Sequence, residues 1–115
     1  MTKKILIIDD EQAFCNLLEE MILGLGDFTV NSYTSGTEAL ANIQSFKPDA
    51  VFVDMLMPEN DGGSVIKAVR EKLSPTPLIV MVTGMVAEDE TANISYPILA
   101  KPVNKESLKK VLSSL

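Results

Sequence analysis

Residues 50–62 read Ala-Val-Phe-Val-Asp-Met-Leu-Met-Pro-Glu-Asn-Asp-Gly. Four apolar residues without alternation describe a strand buried on both faces, because a half-solvated strand would alternate apolar with polar. Asp54 follows that run without a break, so its carboxylate lies at or just inside the sheet edge, where an unpaired charge is costly. Met57 to Gly62 is then dense in turn formers and leads into a helix from about Gly63 to Leu73.

Outward from this stretch the same unit repeats. Ile5 to Ile8 is a β-branched run ending in Asp9-Asp10-Glu11. It is followed by Phe14, Leu17, Leu18, Met21, Ile22 and Leu25 at helical spacing, with Gly24 and Gly26 as stop signals. Phe28 to Tyr33 predicts a second strand. Ser35, three residues before Glu38, is a capping-box signature and opens a helix that ends at Lys47-Pro48-Asp49. After Ser74-Pro75-Thr76-Pro77 comes a strand over Leu78 to Val82 that finishes at Thr83-Gly84. Glu88 to Ile94 has room for two helical turns at most. Tyr96 to Ala100 predicts a fifth strand running into Lys101-Pro102, and Asn104 caps a last helix striped by Leu108, Val111 and Leu112. Strand and helix in alternation imply a parallel sheet covered on both faces through right-handed crossovers.

Composition sets the limits. The chain has 115 residues and 46% apolar content, enough for one domain over residues 1–115 with a single core. One cysteine, Cys15, and no histidine exclude disulfides, zinc-finger spacings and His-based triads, and Cys15 itself is expected to pack rather than to react. Met55, Met57, Met81 and Met85 are expected to fill apolar space. Ten basic against 16 acidic residues give a net charge of −6, which argues against a nucleic-acid face. The apolar runs are too short to span a membrane, so a cytoplasmic protein is expected.

In open parallel sheets chemistry gathers beyond the carboxyl ends of the strands. Those ends carry Asp9 and Asp10, Asp54, Thr83 and Gly84, and Lys101. Carboxylates crowded at one rim repel by roughly 4 kcal/mol per pair at about 4 Å. A positive group is therefore required among them. Lys101 supplies one charge, and a divalent cation would supply two. Oxygen ligands without His or Cys favour Mg²⁺ over zinc, and Mg²⁺ commonly shares its coordination with phosphate.

Asp9-Asp10, Asp54, Met57-Pro58, Asp61-Gly62, Thr83-Gly84 and Lys101-Pro102, in this order and at these strand ends, resemble the response-regulator receiver domain. The resemblance spans nearly the whole chain. It implies a doubly wound five-stranded parallel sheet of flavodoxin-like (βα)5 type, here with an abbreviated fourth helix. It also implies that Asp54 accepts a phosphoryl group from phosphohistidine on a histidine kinase or a histidine phosphotransfer protein. By the same carry-over, Asp10, Asp54 and the carbonyl of Leu56 ligate Mg²⁺ directly, and Asp9 helps through water. Lys101 pairs with the phosphoryl group, while the Thr83 hydroxyl and the Gly84 N–H donate to it. The Thr83 contact would switch the following loop and alter binding to an output domain or downstream protein. Such a module assists its own phosphorylation and dephosphorylation rather than turning over an external substrate.

The chain departs from the usual receiver pattern in two places. Only residues 84–100 separate Thr83 from Lys101, and Ile98 stands where an aromatic is usual, with Tyr96 two positions earlier. Both features are similar to a receiver subgroup with a Thr-Gly pair. Leu56 and Met85 replace common polar groups, which implies slow self-dephosphorylation. Two alternatives fit these residues less well. An aspartate-nucleophile phosphatase usually has a second acid two residues after the nucleophile, where Leu56 stands. A receiver-like binder that is never phosphorylated would not need Asp10, Asp54, Thr83 and Lys101 intact.

Overall fold

The computed structural model describes residues 2–55, 62–84 and 96–115. Five parallel strands form one sheet in the order β2-β1-β3-β4-β5. They are β1 (Lys3–Ile8), β2 (Phe28–Tyr33), β3 (Ala50–Asp54), β4 (Leu78–Thr83) and β5 (Ile98–Ala100). The helices among the described residues are α1 (Gln12–Leu25), α2 (Gly36–Phe46), α3 (Gly62–Lys72) and α4 (Lys105–Leu112). This is the flavodoxin-like strand order, and the strand order reverses between β1 and β3. The short helix expected over Glu88 to Ile94 lies outside the described residues.

Pleat alternation divides the core. Ile5, Ile7, Phe52, Val80, Val82 and Leu99 pack with Cys15, Leu18 and Ile22 of α1 and Leu108 and Leu112 of α4. Leu6, Ile8, Val51, Val53, Ile79 and Met81 pack on the other side with Ala39 and Ile43 of α2 and Val65, Ile66 and Val69 of α3. All five residues of β3 are buried, as its unbroken apolar run requires.

Local signals act as read in two helices. Ser35 Oγ accepts from the Glu38 N–H at 3.4 Å, and Asn104 Oδ1 accepts from the Ser107 N–H at 2.7 Å. The α2 helix closes with Lys47 in the left-handed region at φ 53°, its N–H donating to the Ile43 carbonyl.

Other boundaries differ from the sequence reading. β1 begins two residues earlier, because Lys3 and Lys4 continue the backbone pairing with Phe28 and Thr29 while their side chains stay exposed. β5 begins later, at Ile98, since Pro97 has no N–H for a ladder. In α1, Leu17 is 51% exposed, so the buried stripe is Cys15, Leu18 and Ile22 and Leu17 stands outside it. Gly24 is helical, and the helix ends at Gly26.

Gly62 has a packing reason rather than a turning one. None of the described glycines lies in the left-handed region, since Gly26, at φ 169°, is extended. A Cβ on Gly62 would meet the Met55 backbone, with the Cα 2.8 Å away, so α3 starts hard against the residue that follows Asp54.

Candidate functional site

The ladder places the rim. Ile8 is in register with Val53, Asp54 with Val82, and Thr83 with Ala100. Backbone bonds carry the order one residue further. The Asp9 N–H donates to the Tyr33 carbonyl at 3.1 Å, Met55 N–H to Val82 at 3.0 Å, and Lys101 N–H to Thr83 at 2.9 Å. The same alternation that divides the core puts Asp9, Asp54 and Lys101 on the pleat that faces α1. Thr83 belongs to the opposite pleat, with Ile79 and Met81.

The acids come together as expected. Asp9 and Asp54 are buried, at 1% and 3% exposure, and Asp10 is exposed. One carboxylate oxygen from each lies within 4.8 Å of the others. Lys101 Nζ stands 2.8 Å from Asp9 Oδ2, 3.1 Å from Glu11 Oε1 and 3.7 Å from Asp54 Oδ2. Burial pulls the Lys101 pKa down. The close contacts with Asp9 and Glu11 and the Asp54 charge outweigh that, and the net shift is upward, so the ammonium is retained.

Asp9 is held from three sides. Its Oδ1 accepts the Glu11 N–H at 2.9 Å, and its carbonyl accepts the Cys15 thiol at 3.4 Å. Its Oδ2 is buried and takes no aligned hydrogen bond, so Lys101 meets it as a charge contact. A buried carboxylate oxygen with spare lone pairs, beside two further carboxylates and without nitrogen or sulfur ligands, suits a hard divalent cation. The residues present fit such an ion. Asp9 is the best buried of the three acids, whereas the resemblance gives it only a water-mediated part.

Thr83 is 8% exposed at the end of β4, and at Gly84 a Cβ would meet, beyond its chain neighbours, no atom of the described residues within 4 Å. Leu56, Met57, Pro58 and Met85 lie outside the described residues. Cys15 is fully buried, and desolvation, reinforced by the Asp9 charge, pushes its thiol up to about 11, which fits a packing role. Tyr96 and Ile98 both pack with the α2–α3 side of the core, and the Tyr96 hydroxyl accepts from Arg70 Nη1 at 2.9 Å.

Two participants escape the sequence reading. Glu11 reaches Lys101, and the Phe14 ring lies 4.3 Å from its ammonium. Glu11 was visible as the third acid after β1, and Phe14 as part of the α1 stripe. Neither signal says that β5 delivers a lysine between them.

Among the described residues no helix is long and apolar enough to cross a membrane. The chain is similar to the alkaline phosphatase synthesis transcriptional regulatory protein PhoP of Bacillus subtilis, 33% identical over 90 residues, covering 78% of this chain and 35% of that protein. It is also similar to the transcriptional regulatory protein KdpE of Staphylococcus aureus, 31% identical over 114 residues, covering 95% of this chain and 48% of that protein. The chain thus spans about half or less of these relatives. A CheY-like response regulator receiver domain from Methylobacillus flagellatus superposes with a TM-score of 0.86 at 29% identity, covering 99% of this chain and 98% of that one. The model of the response regulator receiver domain matches residues 5–113, and the chain belongs to that family of two-component signalling modules.

Proposed function

We propose that Asp54 is the phosphoryl acceptor of this receiver, taking the group from phosphohistidine of a histidine kinase or histidine phosphotransfer protein with Mg²⁺ present. The observation that carries this reading is the buried Asp54 carboxylate at the end of β3, with Lys101 Nζ 3.7 Å from its Oδ2 and oxygens of Asp9 and Asp10 within 4.8 Å. In the transfer, an Asp54 oxygen forms a bond to phosphorus as the phosphorus–nitrogen bond to the donor imidazole breaks. The imidazole keeps the electron pair and a proton, and Asp54 becomes an acyl phosphate. Asp9, Asp10 and Asp54 would hold the divalent cation, with the Leu56 carbonyl as a further ligand by family resemblance. When bound, that ion neutralises charge on the phosphoryl oxygens.

Lys101, kept charged by its contacts with the acids, needs to move little to meet a phosphoryl oxygen on Asp54. Thr83, at the end of β4, and the N–H of Gly84 just beyond it are the proposed donors. A hydroxyl contact made only with the phosphoryl group gives the differential interaction needed to shift the loop after Thr83. The output that reads this shift belongs to a partner or to a further domain. The module aids its own phosphorylation and hydrolysis without an external substrate.

The test is intact mass after incubation with acetyl phosphate and Mg²⁺. The parent protein gains one phosphoryl group and Asp54→Asn gains none. An unchanged parent mass would favour a receiver-like binder that is not phosphorylated, and sustained turnover of small phosphate esters would favour the phosphatase.

A further inference from the structure

Lys101 has a partner that the transfer reaction does not consume. Its side chain is 17% exposed and ends 4.3 Å from the centroid of the Phe14 ring, which is itself half-buried against the α1 side of the core. We propose that Phe14 is a positioning residue of the acceptor site, its ring face holding the Lys101 ammonium at the rim beside Asp54. This rests on Asp54 being the acceptor.

Among the described residues the other contacts of the ammonium are anions, at Asp9, Glu11 and Asp54. The Glu11 side chain is 64% exposed, so its attraction is screened and weak. Asp9 and Asp54 belong to the acidic trio that suits a divalent cation, and such an ion draws on the same oxygens and repels the ammonium. A lysine on a flexible four-carbon stem would then be free to swing away. The ring is neutral, and neither a cation nor a phosphoryl oxygen competes for it. Cation–π attraction strengthens as the pair loses water, which is the condition of this half-buried ring and lysine.

A plain core role for Phe14 predicts that Leu serves nearly as well. The positioning role predicts that it does not, because Leu keeps apolar volume and loses the ring face. In the metal-free, unphosphorylated protein, the Lys101 Hε protons should show an upfield ring-current shift in the parent and in Phe14→Tyr, and lose it in Phe14→Leu. With acetyl phosphate and Mg²⁺, labelling of Phe14→Leu should be about threefold to tenfold slower than the parent, with Phe14→Tyr within about twofold. If Phe14→Leu fails to fold, progressively fluorinated phenylalanine placed at position 14 keeps the shape and weakens the ring face, and the rate should fall step by step. Equal rates across that series, equal rates for Phe14→Leu and the parent, or a Lys101 shift unchanged in Phe14→Leu would overturn the positioning role alone. A parent protein that takes no phosphoryl group would overturn the acceptor reading, and the positioning role with it.

Discussion

Asp10 shows the cost of this site to the fold at the scale of one residue. Three carboxylates share a rim with Lys101 close to two of them, so without a cation the site strains against itself. Asp10→Asn removes one charge from an exposed position and should raise stability in chelator by about 1 kcal/mol in denaturant unfolding. Mg²⁺ should close much of that gap by stabilising the parent. A loss of stability in chelator would count against the repulsion. Cys15 gives a pH test. Its thiol sits at about 11 in the fold against an ordinary 9.0, so the native state keeps a proton that the unfolded chain releases. That contribution is complete below pH 9, declines as pH rises toward 11 and is lost above it. Lys101, also shifted upward, has the same sign. Stability should therefore fall above pH 9, and Cys15→Ala should flatten the fall without abolishing it. An unchanged slope in Cys15→Ala would place the titration elsewhere. The sequence made the acids and the lysine legible because each ends an apolar strand. The Phe14–Lys101 contact was not legible, since helical periodicity says which residues share a face but not which strand end reaches that face.

Among the elements, legibility followed the strength of local chemistry. The caps at Ser35 and Asn104 act as written, because a side-chain oxygen three residues before a free N–H needs little tertiary context. The strand limits moved, because pairing is decided by the neighbour: β1 extends through two exposed lysines and β5 is trimmed at a proline. At the end of α2, Lys47 occupies the left-handed region that a side chain tolerates poorly. Lys47→Gly should relieve that strain and stabilise the protein by about 0.5–1 kcal/mol despite the added freedom of the unfolded chain. Thermal denaturation decides it, and a lower midpoint would mean that the Lys47 side chain contributes more than its backbone costs.

For the whole molecule, the fold class was readable from the alternation of strand and helix. The strand order was not readable from that alternation, because it depends on which buried strands pair, and it came only through the family resemblance. That order sets β1 beside β3 and brings Asp9 and Asp10 to Asp54. The proposed switch also belongs to this scale. A phosphoryl analogue with Mg²⁺ should change amide exchange over residues 84–95 while leaving the buried β3 amides as they were, and equal exchange with and without the analogue would remove that segment as the reporter. Whether Asp54 among these acids takes the phosphoryl group is decided by trapping the acyl phosphate with borohydride, which reduces it to homoserine, and sequencing the peptides. Homoserine is expected at position 54 after incubation with acetyl phosphate and Mg²⁺. Homoserine at position 9 or 10 instead, or at no position, would contradict it.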